Sequence, residues 1–194
     1  MKIGVIPTIR IAYKNQFEYS VDIRLINFIK KIFSNSEIDI LINNKKEKID
    51  FLCISGGNDI LKFNSSKKNL IRFNLDKYYY DICKKKQIPI LGICHGAQFI
   101  ASQEGATITR KNSIRSHKIK FNKQIINLKS RTVNSYHNFV INKLGTKLDV
   151  IAFAHDQTIE AFVDRKNKIL GLMWHPEREK KINVIDEKII KEFL

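Results

Sequence analysis

The residue whose setting most suggests chemistry is a thiol between glycines, in Gly92-Ile93-Cys94-His95-Gly96, where an apolar run over 88–93 passes into a helical segment over 97–102. That is the sequence of a nucleophile elbow, in which the middle residue sits on a sharp strand-to-helix turn and stands at the carboxyl edge of a sheet. A thiol there lies at a helix N-terminus, where the dipole and free N–H groups favour the thiolate. A lone cysteine before a helix is more often a packing residue; the flanking glycines make Cys94 the candidate nucleophile. Such a nucleophile needs a base, and the base needs an orienting partner. Of the five histidines, His175 is the candidate, because Trp174-His175-Pro176-Glu177 follows an apolar run and places imidazole and carboxylate together at a strand's end. Pro176 fixes the backbone between them, so Glu177 can fold back to hold the ring's tautomer.

The elements that must position these groups follow from periodicity. Residues 2–6 read as a buried strand, followed by a loop that carries Arg10. Ser20 is the expected cap of a helix with Asp22 in its first turn, on which Val21, Leu25, Phe28, Ile29, Ile32 and Phe33 repeat at helical spacing. Strands are expected at 37–42 and 49–55, joined by a solvated connection at 45–48. The second strand ends in Ser55-Gly56-Gly57-Asn58-Asp59, where adjacent glycines either make a plain turn or aim a backbone N–H at a ligand. A loop at 64–66 and a helix over 76–86 lead into the elbow strand. This alternation predicts a mostly parallel sheet with helices on both faces, whose ligands bind outside the carboxyl ends of the strands. Gly57, Cys94 and the loop of Arg10 would then share one edge. Short alternating strands over 107–129 and 150–172 predict a small antiparallel extension. A closing helix over 183–194 has Val184, Ile185, Ile189, Ile190 and Phe193 on its apolar side.

The chain has 194 residues, 43% of them hydrophobic, which suits a single domain with one sizeable core. With neither an apolar run long enough to span a bilayer nor a leader-like start, a cytoplasmic protein is expected, with no membrane partner. Three cysteines, none in a Cys-x-x-Cys pair, argue against a disulfide framework and against a zinc site. Cys53 and Cys83 fall in apolar or helical runs and read as packing residues. The net charge of +16 is scattered along the chain rather than gathered into an aromatic-interleaved basic motif, which speaks against nucleic acid as a partner. A charge of this size does draw anionic small molecules.

Taken together, Gly-Ile-Cys-His-Gly-Ala-Gln at 92–98, Ser-Gly-Gly-Asn-Asp at 55–59, Val-Asn-Ser-Tyr-His at 133–137, Ile-Glu-Ala at 159–161 and Trp-His-Pro-Glu at 174–177 resemble the class I glutamine amidotransferases, and within them the γ-glutamyl hydrolase branch. The motifs stand in family order and span nearly the whole chain. The resemblance implies a flavodoxin-like α/β fold and a Cys94–His175–Glu177 triad that needs no metal or cofactor. It implies an oxyanion hole from the backbone N–H groups of Gly57 and His95. Gln98 and the Ser135-Tyr136 backbone would hold the ends of the glutamyl group. His137 would line the site or serve as a structural loop histidine, Glu160 would be structural, and His117 and His155 match no catalytic position.

The bond broken is thus a γ-glutamyl amide; the leaving group is open. A free hydrolase similar to those acting on γ-glutamyl-CDP-amidate in capsule modification would take an anionic substrate. Arg10, Arg110, Lys111, Arg115 and Lys118 are candidates to meet that charge. The alternatives are a hydrolase of polyamine or folate conjugates, the glutaminase half of a two-component amidotransferase, and a non-enzymatic module. A monomer or homodimer is expected.

Overall fold

The computed structural model describes residues 1–45, 48–111 and 115–194. In chain order, β1 (Lys2–Ile6), β2 (Thr8–Tyr13), β3 (Gln16–Ser20), α1 (Ile23–Ile32), β4 (Glu37–Ile40), β5 (Phe51–Ile54), α2 (Lys67–Lys86), β6 (Ile90–Ile93) and α3 (His95–Gln103) make up the first half. The second half is strand-rich: β7 (Thr107–Arg110), β8 (Ser116–Phe121), β9 (Arg131–Asn134), β10 (Phe139–Lys143), β11 (Asp149–Ala154), β12 (Ile159–Asp164) and β13 (Ile169–Leu172). A 3₁₀ turn (Pro176–Arg178) and α4 (Val184–Phe193) complete it.

The central sheet runs β4-β1-β5-β6-β13-β12-β11-β8-β9. Its first five strands are mutually parallel, and β12, β11, β8 and β9 continue it antiparallel. Because side chains alternate across a strand, the inner parallel strands β1, β5, β6 and β13 feed two cores. Ile3, Val5, Phe51, Cys53, Leu91, Leu170 and Leu172 pack with Leu25, Phe28 and Ile29 of α1 and Ile189, Ile190 and Phe193 of α4. Ile6, Leu52, Ile54, Ile90 and Ile169 pack on the other face with Leu75, Tyr79 and Tyr80 of α2 and Phe99 and Ile100 of α3. The architecture is therefore the expected α/β one, with helices on both faces and an antiparallel extension. Among the described residues no helix is long and apolar enough to cross a membrane.

Several local expectations give way. Arg10 sits on a β-hairpin rather than a loop: β2 and β3 pair antiparallel, and Lys14 at the turn has φ 43°. Ile9 anchors the hairpin in the core, while Ile11, Tyr13 and Tyr19 on the same face are exposed. The cap of α1 is Asp22, whose carboxylate accepts the Arg24 N–H at 3.0 Å, while Ser20 ends β3. Helix α2 begins nine residues earlier than expected, after Ser66. Its first turns bury Asn69, Arg72 and Asp76, so the helical period is present but polar. Val184 is 78% exposed at the start of α4 and does not share that helix's apolar side. Of the expected connection at 45–48, Lys45 and Lys48 are exposed, and 46–47 lie outside the described residues.

Candidate active site

Strand β6 delivers Cys94 to its carboxyl end, where the residue takes φ 50°, ψ −100° as the N-cap of α3. A non-glycine residue held at positive φ is strained, and such strain collects at functional positions. Two hydrogen bonds pin the turn: the Cys94 N–H donates to Leu172 O at 2.7 Å and its carbonyl accepts from the Gln98 N–H at 3.0 Å. Gly96 makes the turn possible, because a Cβ there would lie 2.1 Å from Ile54 O. That close approach sets the start of α3 against the end of β5, and so against the loop containing Gly57. Gly57 has φ +131°, and neither its N–H nor that of His95 has an acceptor among the described residues. For His95 this follows from its place in the first turn of a helix, whose leading N–H groups have no intrahelical acceptor.

His175 reaches the same place from β13. Its Nδ1 lies 2.6 Å from Glu177 Oε1 across the 3₁₀ turn that Pro176 begins. The ring packs so tightly against Gly56 that a Cβ on Gly56 would fall 2.5 Å from Cε1. Burial disfavours the imidazolium, but the nearby Cys94, followed by Glu177, more than reverses this and raises the pKa to about 9. The imidazole thus hydrogen-bonds the Glu177 carboxylate and lies within electrostatic reach of the Cys94 thiol. The other two cysteines differ: burial pushes Cys53 and Cys83 up to about 12, so both stay protonated and unreactive.

The sequence assigns no role to two sets of supporting residues, although Asn134 and Asn58 fall within the motifs at 133–137 and 55–59. Asn134, at the end of β9, brackets the His175 backbone, accepting its N–H at 2.9 Å and donating to its carbonyl at 2.8 Å. The polar stripe of α2 holds three segments at once. Asn69 accepts from Asn58 at 3.1 Å, and Asn58 pairs with both the N–H and the carbonyl of Ile9 in the hairpin. Arg72 donates to Ser55 O at 2.7 Å and Pro7 O at 2.8 Å, fixing the ends of β5 and β1. It also donates to Asp76 at 2.8 Å, whose other oxygen lies 2.8 Å from His95 Nε2. Arg72 and Asp76 are fully buried, and such a pair persists only when its charges and hydrogen bonds are satisfied. It ties the residue after Cys94 to the strand that leads into Gly57. An Arg/Asp spacing of i, i+4 is the one signal that could have pointed to it.

Of the expected glutamyl contacts, Gln98 is buried and donates to Phe139 O at 3.0 Å. Ser135 is buried and held by its N–H to Arg115 O at 2.9 Å. Tyr136 is 54% exposed, with its ring centroid 5.5 Å from that of His175. His137 is buried; neither ring nitrogen has a hydrogen-bond partner, and burial lowers its pKa. It stands 6.4 Å, centroid to centroid, from His117. The contact of His117 with Glu160, at 3.2 Å, raises its pKa against the effect of burial. His155 is exposed on a turn.

The basic candidates part company. Arg10 lines a cleft of about 80 Å³ together with Gly56, Gly57, His175 and Glu177. Arg110, Lys111, Arg115 and Lys118 do not line it. All four are exposed on the antiparallel side, Lys111 paired with Asp156. The cleft instead includes Arg178, whose guanidinium stacks 4.7 Å from the Tyr136 ring; no motif singled this residue out.

Known proteins share this arrangement of elements. The family described as Glutamine amidotransferase class-I matches residues 13–194. A γ-glutamyl-CDP-amidate hydrolase from Campylobacter jejuni subsp. jejuni serotype O:2 is 37% identical over 172 residues, covering 86% of this chain and 82% of the relative. Anthranilate synthase component 2 from Helicobacter pylori is 37% identical over 99 residues, about half of either chain (48% and 50%). Among solved structures, a protein described as a GMP synthase subunit from Thermoplasma acidophilum has a TM-score of 0.72 over 100% of this chain and 92% of its own, at 23% identity, a likeness of fold alone. With the family matched over almost its full length, the chain belongs to the class I glutamine amidotransferases.

Proposed function

We propose that the protein is a cysteine-dependent γ-glutamyl amide hydrolase whose substrate is a γ-glutamyl-CDP-amidate, from which it releases glutamate and a CDP-linked phosphoramidate for capsule modification. The observation that supports the chemistry is one buried imidazole within electrostatic reach of Cys94, held at a strained φ of 50°, and hydrogen-bonded to Glu177 at 2.6 Å. In this reading the Cys94 thiolate adds to the γ-carbonyl, and the N–H groups of Gly57 and His95 hold the oxyanion. His175 then gives its proton to the departing nitrogen as the C–N bond breaks, leaving a thioester. Water adds to that thioester, His175 takes the proton, and the C–S bond breaks to release glutamate and restore the thiolate. Gln98 and Ser135-Tyr136 anchor the glutamyl end.

The leaving group is inferred from the relative that is 37% identical over most of its length and from the charge of +16, which repels a polyamine conjugate and attracts a nucleotide. The second reading, the glutaminase half of a two-component amidotransferase, draws on the similarity to anthranilate synthase component 2. Glutamate release from γ-glutamyl-CDP-amidate, from glutamine and from a γ-glutamyl polyamine separates them. A higher kcat/KM for the nucleotide conjugate, abolished by Cys94→Ser, is expected. Comparable values for conjugate and glutamine would overturn the substrate assignment. Glutaminase activity that appears only when a synthetase partner is added would favour the second reading.

A further inference from the structure

In a γ-glutamyl phosphoramidate the phosphorus is bonded directly to the nitrogen that leaves, so its anionic oxygens must lie within two bonds of the atom that His175 protonates. The place to look for their partners is therefore beside His175, whatever the charge elsewhere on the surface. The cleft of about 80 Å³ there is bounded by His175, Gly56 and Gly57 and reaches Arg10 and Ser20 on the hairpin, Asp22 before α1, and Arg178 on the 3₁₀ turn. Cys94 and Gln98 do not line it, so it is set apart from the residue expected to hold the glutamyl end.

Two carboxylates border this cleft, and both are committed elsewhere. Asp22 is gripped by Arg24 (Nε to Oδ1 3.1 Å, Nη2 to Oδ2 2.7 Å), which holds its pKa below the usual range. Glu177 is bonded to His175. Arg178 is within ion-pair range of both carboxylates but hydrogen-bonds neither. Its Nε lies 3.7 Å from Glu177 Oε1 and 3.9 Å from Asp22 Oδ2, beyond hydrogen-bond reach, and is buried without a partner. No protein acceptor among the described residues takes a hydrogen bond from its guanidinium, which is held in place by stacking on Tyr136. Arg10 has no ion pair among the described residues, although Glu18 faces it across the hairpin register. A planar guanidinium fixed by an aromatic ring and lacking an acceptor suits bidentate binding of a phosphoryl group.

Resting on the substrate reading above, we propose that Arg178, with Arg10 from the hairpin, forms the subsite for the phosphoryl group attached to the leaving nitrogen, and that Arg110 and Arg115 do not.

The experiment compares kcat/KM for γ-glutamyl-CDP-amidate with that for γ-glutamyl-p-nitroanilide, which carries no phosphate, in the wild type, Arg178→Gln, Arg178→Lys and Arg10→Gln. Loss of a charged hydrogen bond costs roughly 10- to 100-fold, so the ratio of the two constants should fall by that order in Arg178→Gln, chiefly through KM for the conjugate. Arg178→Lys should recover part of the ratio, and Arg10→Gln should lower it less. A wild type with no preference for the nucleotide conjugate overturns the substrate reading and the subsite together. A preference that survives Arg178→Gln, or a loss equal on both substrates, overturns the subsite alone. If Arg178→Gln does not fold, the exposed Arg10→Gln carries the same test, and an unchanged ratio there overturns the proposal.

Discussion

Two arginines at the carboxyl end of the parallel strands do opposite things. Arg72 is fully buried and satisfied: Asp76, Ser55 O and Pro7 O take its donors at 2.7–2.8 Å. Arg178 is partly open, stacked on Tyr136, and close to two carboxylates without bonding to either. A guanidinium whose donors are all engaged by the protein is a fastener, whereas one held by a ring with its donors free can bind a ligand. Exposure alone does not separate them, since Arg110 and Arg115 are exposed and do not line the cleft that Arg178 shares with His175. What separates them is where the hydrogen bonds already go.

The largest effect should come from the group both regions serve. His175→Ala is expected to lower kcat by three orders of magnitude or more, since nucleophile and base act as a unit, with a residual rate left to the oxyanion donors (about 10³–10⁴ over water in comparable triads). A loss of only a few-fold would reassign the base, with His137 the nearest candidate.

Next is the fastener itself. Arg72→Met leaves the buried Asp76 carboxylate without its guanidinium, with only His95 beside it, and should destabilise the fold by about 3–5 kcal/mol, read from urea unfolding. Arg72→Met/Asp76→Leu should regain much of that stability, because the uncompensated charge is gone. It should not regain turnover, because His95 and the strand before Gly57 remain untied. Full recovery of both would reduce the network to ordinary core filling.

A smaller effect tests the imidazole's electrostatics. With His175 raised to about 9, the protonated ring that the proposed mechanism uses to protonate the leaving nitrogen is lost as pH climbs through that value. The alkaline limb of kcat should therefore fall near pH 9. Glu177→Gln removes an anion that favours the imidazolium, so the limb should move to lower pH, with a rate loss well below that of His175→Ala. The same shift bears on stability: a histidine whose folded pKa exceeds its unfolded value of about 6.5 stabilises the fold fully below that pH and loses the contribution as pH rises through 9. A limb that stays in place in Glu177→Gln would separate Glu177 from the ring's protonation.

The smallest effect belongs to the surface. Arg110→Gln and Arg115→Gln are expected to change KM for a nucleotide substrate by less than about threefold at moderate salt, as screened long-range charge does. The change should vanish at high salt. An effect as large as that of Arg178→Gln would move the anion site to the antiparallel side.

The sequence by itself determined the elements whose physics is local and apolar. The parallel strands show as apolar runs, α1 and most of α4 as helical periodicity, and the elbow as two glycines around Cys94, because only small residues allow α3 to approach Ile54 O so closely. The His175–Glu177 contact spans two residues and a proline, so it too was legible. What required the tertiary structure was everything polar and long-range. The hairpin carrying Arg10 does alternate, with Ile9, Ile11, Phe17 and Tyr19 on one face, but most of that face is exposed, so only the tertiary structure shows where it lies. Helix α2 starts early because its inward stripe is Asn69, Arg72 and Asp76, which resembles a solvated surface until Asn58, Ser55 and His95 are seen to meet it. Asn134 and the His175 backbone are 41 residues apart in sequence, and Arg178 differs from thirty-four other basic side chains only by its place beside Tyr136 and the cleft. Burial of apolar surface depends on residue type and so leaves a periodic trace, whereas a hydrogen bond depends on which two groups the fold happens to bring together.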